Sequence, residues 1–290
     1  MIVWDDYLIR ELALRKCIIV IGSGISKNSS NAAGKRPMTW VEFLDFANSK
    51  ITKTSVRADV TKLIRSNDYL TACEVIKNTL TRNTFNDFMM DEYHTPGYPP
   101  APIHETIFKL DSKIVVTPNF DRIYDTYAST TSNGTVIIKR HTDADVASTI
   151  RNHKRLIIKM HGTIDDVNEV IFTRSDYANA RTRFKNFYTI MDALAITHTF
   201  LFLGCGTNDP DIRMMLEDYC YKFSFSREHY FVIPKGQNSR SVNKILESTM
   251  NLKMVEYSSD NHHAELHTGL AELLSKVEAQ RDLIVDKQDW

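Results

Sequence analysis

Cysteine is scarce and scattered. Cys17, Cys73, Cys205 and Cys220 form no Cys-x-x-Cys pair, so neither a disulfide framework nor a zinc ribbon is expected, and no metal site is expected either. Net charge is absent too, with Lys+Arg and Asp+Glu both at 36. That balance removes bulk attraction to nucleic acid or anionic membrane, and no direct nucleic-acid binding is expected. The longest apolar runs, such as Cys17–Ile21 and Phe200–Leu203, fall far short of the roughly 20 residues that a membrane-spanning helix needs. The N-terminus reads Met-Ile-Val-Trp-Asp-Asp, with acids where a secretory leader would carry lysines. These absences lead us to expect a soluble, cytoplasmic protein. What is present is ordinary globular composition, 42% apolar and 25% charged over 290 residues, enough for one large domain or a domain with a smaller companion.

Continuous apolar runs bounded by glycine or polar residues suit strands buried on both faces of a parallel sheet. Seven such runs occur: 17–21, 113–117, 135–139, 156–160, 199–203, 230–233 and 252–255. Helical periodicity fills the intervals 177–197, 211–223, 239–249 and 262–280, and a short amphipathic helix opens the chain at 4–15. Strands alternating with helices predict an α/β fold, a Rossmann-like doubly wound parallel sheet. From Thr39 to Phe108 the alternation stops. Helix-like blocks at 41–46, 56–64, 70–80 and 85–93, closed by Pro96, Pro99, Pro100 and Pro102 in an extended loop, predict a small helical insert after the first strand, over 39–108 of a single 1–290 domain.

Ligands of doubly wound sheets bind beyond the carboxyl ends of the strands, and four strands here end in polar loops. Gly22-Ser-Gly-Ile-Ser26 follows the first; two glycines permit a tight turn with N–H groups against a phosphate, but also a plain turn, and the third glycine of the dinucleotide fingerprint is replaced by Lys27. Thr117-Pro-Asn-Phe-Asp121 leaves the sheet at Pro118; alone, it reads as a turn with Asx bonds and a helix cap. Lys159-Met-His-Gly162 puts an imidazole at a strand end, suited to proton transfer near neutral pH. Gly204-Cys-Gly-Thr-Asn-Asp-Pro-Asp211 opens a helix whose cap is Asp209 or Asp211. Elsewhere, the 172–177 run reads as a helix start capped by Ser175, and His262, His263 and His267 as a solvated helix face. Lys35 and Arg36 read as an exposed loop pair or a phosphate-facing one.

In this order the motifs resemble the sirtuin family, specifically the sirtuin-like NADases of bacterial antiphage defence, over about residues 16 to 216. The glycine loop is similar to the family's opening NAD loop, Thr117–Asp121 to its Thr-x-Asn-x-Asp motif, Met160-His-Gly162 to its catalytic His-Gly, and Gly204–Asp211 to the Gly-x-x-x-x-Asp-x-Asp of the NADase branch. The four-cysteine zinc module and Pro-Asp-Phe-Arg segment of deacetylase sirtuins are missing, and Pro118 stands where they usually carry glutamine. The resemblance therefore implies NAD+ cleavage more than peptide deacylation.

It implies that Asn119 orients the ribose hydroxyls or the attacking water, that His161 acts as base or ribose anchor, and that Asp121 meets the nicotinamide carboxamide. Gly22, Ser23, Gly24, Ile25, Ser26, Gly204 and Gly206 would line the diphosphate and ribose, with Thr207 and Asn208 in the same role. It further implies NAD+ as substrate, a homo-oligomer, and regulation by a separate partner such as a HerA-like ATPase. A non-catalytic module that senses NAD or ADP-ribose through assembly is the alternative, and a protein deacylase a further one.

Overall fold

A computed structural model describes residues 1–152, 154–207, 209–223 and 226–288. Seven strands, β1 (Cys17–Ile21), β2 (Ile114–Thr117), β3 (Ile137–Arg140), β4 (Leu156–Lys159), β5 (Thr199–Leu203), β6 (His229–Pro234) and β7 (Leu252–Tyr257), form one sheet in the order β3-β4-β2-β1-β5-β6-β7. Every neighbouring pair is parallel. The chain builds outward from β1 on one side, then returns to lay β5 against its other side. The carboxyl end of β1 is thus the point where connections diverge, and a crevice opens there.

Strand side chains alternate between faces, and β1 shows both being buried. Cys17, Ile19 and Ile21 join the core formed with α1 (Asp6–Ala13), the short α2 (Ser23–Ser26), α7 (Pro102–Lys109), α8 (Ile123–Thr131) and α14 (Asp260–Lys287). Ile18 and Val20 join the opposite core, built with α9 (Val146–Ile150), α11 (Lys185–Thr197), α12 (Pro210–Lys222) and α13 (Arg240–Met250). The Rossmann-like α/β sheet is therefore wound on both faces.

A third core lies outside these layers. It joins α3 (Trp40–Ser49), α4 (Thr54–Arg65), α5 (Tyr69–Thr79) and α6 (Arg82–Tyr93) through Phe43, Leu44, Val60, Ile76, Phe85 and Met89. It is completed by Ile164, Val170 and Phe172 from the segment after β4. The Thr39–Glu42 capping box sets where this helical group begins, its hydroxyl and carboxylate satisfying backbone N–H groups at the start of α3.

Several expectations are corrected. Pro102 does not end an extended loop but occupies the first turn of α7, where its missing N–H costs nothing, and α7 packs with α14 and the sheet rather than with α3–α6. The single helix expected over 177–197 is two, α10 (Arg174–Arg183) and α11, broken at Phe184 with φ −112° and ψ 41°. The cap of α10 is Thr173, not Ser175. The histidines near the start of α14 do not share one solvated face. Asn261, His262 and His263 have left-handed backbone, His263 Nδ1 meets the Tyr257 hydroxyl at 3.0 Å, and His267 Nε2 meets Asn28 Oδ1 at 2.9 Å.

Candidate active site

The crevice begins where two glycines touch. A Cβ on Gly22 would collide with the Gly204 carbonyl oxygen, and one on Gly204, at φ +63°, would lie 2.6 Å from the Ile25 nitrogen. Only glycine at both positions lets the loops after β1 and β5 approach this closely. Gly22 N–H donates to Leu203 O at 2.9 Å and Gly24 N–H to Gly204 O at 3.0 Å. Two of the N–H groups that the sequence offered to a phosphate thus join the strand ends instead.

The loop after β2 is tied to the loop after β1 through side chains. Thr117 Oγ1 donates to Ile21 O at 2.7 Å and accepts from Asn119 N–H at 3.0 Å. Asn119 Nδ2 donates to Ser26 Oγ at 3.0 Å, and Ser26 Oγ donates to Asp121 Oδ2 at 2.7 Å. Asp121 Oδ1 accepts from Ile123 N–H at 3.0 Å at the start of α8. Beneath this loop the buried Lys159 donates to the Asp121 carbonyl and to Asp125 Oδ2, the latter at 2.6 Å. Asn119 and Asp121 are therefore held in place by a network that reaches β1, β2 and β4.

His161 stands just past the end of β4 and is 4% exposed. Its Nε2 lies 3.2 Å from Asp211 Oδ2, while Nδ1 lies 3.5 Å from the Tyr177 hydroxyl and 3.9 Å from Asp209 Oδ2. Asp209 is the cap of α12, accepting from Asp211 N–H and Ile212 N–H. Burial opposes protonation of His161, but Asp209 and Asp211 outweigh it and raise its pKa above the ordinary value. Burial raises the Asp209 pKa, whereas for Asp211 the opposing burial is overcome by His161 and Arg181, and its pKa is lowered.

These loops line a cleft of about 340 Å³. Of the residues singled out in the sequence, Gly22, Ser23, Ser26, Asn119, Asp121, His161 and Gly206 face it together. Gly24, Gly204 and Thr207 are not part of its wall, the Ile25 side chain is fully buried in the sheet core, and Asn208 lies outside the described residues. Lys35 does not reach the cleft and pairs with buried Glu92 at 2.6 Å; Arg36 does not line it either. The opposite wall is aromatic and was not anticipated. Trp40, Tyr69, Tyr93, Phe120 and Phe172 contribute, with Trp40 and Tyr69 ring centroids 5.6 Å apart and Tyr93 and Phe120 4.8 Å apart in an edge-to-face arrangement. Tyr177 also lines the cleft. Most of these rings come from the 39–108 helices and from α10, and as helical core residues they carry no local signature of a site. Among the described residues, no group of three or more His, Cys, Asp or Glu is placed to hold a metal ion. Nor is any helix among them long and apolar enough to cross a membrane.

Residues 113–255 match the SIR2-like domain family. The chain is similar to the NAD(+) hydrolase ThsA of Acinetobacter baumannii, 24% identical over 232 residues, which is 79% of this chain and 45% of that protein. It is also similar to the NAD(+) hydrolase ThsA of Enterococcus faecium, 25% identical over 75% of this chain and 43% of the relative. Defense-associated sirtuin 2 of Bacillus subtilis is 22% identical over 94% of this chain and 26% of its own length. The chain thus spans less than half the length of each of these curated relatives.

Proposed function

We propose, from the match of residues 113–255 to the SIR2-like domain family and from the geometry of the cleft, that the protein is an NAD+ glycohydrolase acting in antiphage defence by NAD+ depletion. The observation that carries this reading is the convergence of Asn119 and His161, from the ends of adjacent strands β2 and β4, on one cleft with Gly22, Ser23 and Ser26. The names of the relatives, two NAD(+) hydrolases and a defence-associated sirtuin, support it.

The reaction consumes NAD+ and water and yields nicotinamide, ADP-ribose and a proton. The bond between ribose C1′ and the nicotinamide nitrogen breaks, its electron pair neutralising the pyridinium. A water oxygen bonds to C1′, and its proton passes to His161 before leaving to solvent. Because the leaving group is already cationic, no strong acid is required, and catalysis reduces to holding the dinucleotide and placing the water. Asn119 orients the ribose or the water. Asp121 receives the carboxamide, and Gly22, Ser23, Ser26 and Gly206 line the diphosphate and ribose; Gly24, Ile25, Gly204, Thr207 and Asn208 complete that loop pair. The aromatic wall supplies flat apolar surface for the rings of the substrate.

The sirtuin resemblance also supports a cytoplasmic homo-oligomer regulated by a separate partner of the HerA-like ATPase type, with 39–108 as an insert whose α3, α5 and α6 helices bring Trp40, Tyr69 and Tyr93 to the cleft. The test is NAD+ loss and nicotinamide release by the purified protein beside Asn119→Ala and His161→Ala, with and without the product of a neighbouring gene. Each substitution should lower turnover by roughly 100- to 1,000-fold. Undiminished turnover in both variants would overturn the assignment, and tight NAD+ binding without turnover under every condition would favour the sensing module.

A further inference from the structure

We infer that Asp211 is a positioning residue for His161: it accepts the Nε2 proton and leaves Nδ1 as the nitrogen that takes a proton in the cleft, while Arg181 and Tyr188 hold the carboxylate from behind. What the freed nitrogen does rests on the NAD+-cleaving reading; the arrangement itself does not.

Asp211 has no role as a helix cap, because Asp209 already fills that position. Its side chain is 1% exposed, and a carboxylate buried that deeply must be paired. Every partner converges from a different helix or loop. Oδ2 lies 3.2 Å from His161 Nε2 and accepts from the Tyr188 hydroxyl at 3.0 Å, while Oδ1 accepts from Arg181 Nε at 2.9 Å and lies 2.7 Å from Nη2. Both oxygens are thereby committed.

The two imidazole nitrogens are not equivalent in this setting. Nε2 has a carboxylate within hydrogen-bond distance. Among the described residues, Nδ1 has only the Tyr177 hydroxyl at 3.5 Å and Asp209 at 3.9 Å, both cleft residues and both beyond an ordinary bond. The hydrogen bond made by one ring nitrogen decides where the proton sits on a neutral histidine. Nε2 therefore carries it, and the lone pair of Nδ1 points to the cleft. When the attacking water gives up its proton to Nδ1, the imidazolium formed is stabilised by Asp211, and Arg181 keeps that carboxylate ionised. The groups facing His161 are Asp209 and Asp211 from α12, Tyr177 and Arg181 from α10, Tyr188 from α11, and His141 after β3.

Arg181 and Tyr188 do not line the substrate cleft. They border a separate cavity of about 330 Å³, and it is on this side that they meet Asp211. Their substitution tests the arrangement without touching bound substrate.

The experiment combines pH profiles of nicotinamide release with nitrogen NMR of labelled histidine in the full chain, for wild type, Asp211→Asn, Arg181→Ala, Arg181→Lys and Tyr188→Phe. We expect Asp211→Asn to lower kcat at least 100-fold with a small change in KM, and to shift the acid limb to lower pH, since a neutral neighbour no longer supports the imidazolium. Arg181→Lys should retain more activity than Arg181→Ala. The spectrum of neutral wild-type His161 should show a protonated Nε2, and Asp211→Asn should redistribute that proton. A wild-type proton on Nδ1, or an unmoved pH profile in folded Asp211→Asn, would overturn the inference. If Asp211→Asn does not fold, the wild-type spectrum and the two Arg181 variants still decide it. A wild type that cleaves no NAD+ at all would sink the functional reading, while the nitrogen spectrum would still judge Asp211.

Discussion

Ser26 donates its hydroxyl to Asp121 at 2.7 Å and accepts from Asn119 at 3.0 Å, so one small side chain aligns both polar residues of the loop after β2. Ser26→Ala leaves the buried Asp121 oxygen short of a donor, at a cost of about 1–3 kcal/mol. A lower melting temperature and at least a tenfold fall in nicotinamide release are expected. Calorimetry and a steady-state assay check this, and wild-type values in both would refute it.

Gly22→Ala places a methyl group against the Gly204 carbonyl oxygen and Cys205 Cα, all of it backbone that cannot rotate away. Overpacking of this kind costs about 1–3 kcal/mol or more. Gly236, at φ +78° with open space where a Cβ would stand, is the control, and Gly236→Ala should cost only about 1 kcal/mol of backbone strain. Urea unfolding of the two variants should separate them, with loss of NAD+ cleavage confined to Gly22→Ala.

Lys159 and Asp125 are a buried pair with side-chain exposures of 1% and 8%. Burial raises the Asp125 pKa and Lys159 opposes that rise. Lys159→Met strands the carboxylate and also removes a donor from the Asp121 carbonyl, so about 3–5 kcal/mol of stability should be lost. Adding Asp125→Leu should restore most of it. A double-variant loss equal to the sum of the Lys159→Met and Asp125→Leu losses would show that the pair contributes no coupling.

His141 and His229 are buried, and burial lowers both pKa values to about 4. His141 Nδ1 and His229 Nε2 have no hydrogen-bond partner among the described residues. The unfolded chain binds these protons near pH 6.5 and the folded chain only near pH 4. Stability from the two neutral rings is therefore complete above about pH 6.5 and declines as pH falls toward about 4. Urea midpoints measured at about pH 7 and about pH 5 should differ, and His229→Gln should reduce the difference. A midpoint independent of pH over that interval would contradict the argument.

The sheet was legible because each central strand is a short apolar run that ends in a polar loop, and burial on both faces leaves no alternation to misread. Asn119, Asp121 and His161 stood out for the same reason, as polar residues where such runs stop. α7 was hidden because a proline cluster reads as a loop, although Pro102 is compatible with a first helical turn. The break at Phe184 left no trace because apolar spacing continues across it. Tyr177, Arg181 and Tyr188 were illegible as site residues for a different reason. Their roles depend on meeting Asp209, Asp211 and His161 across separate elements, and no local spacing encodes a contact of that range.

The core shared by α3–α6 with Ile164, Val170 and Phe172 imposes an order on synthesis. The helices leave the ribosome first but lack their closing apolar surface until the segment after His161 follows. The carboxylates at 209 and 211 emerge later still. A truncated chain therefore holds neither a finished cleft wall nor a poised imidazole, and the cleft cannot be complete before residue 211 has been made.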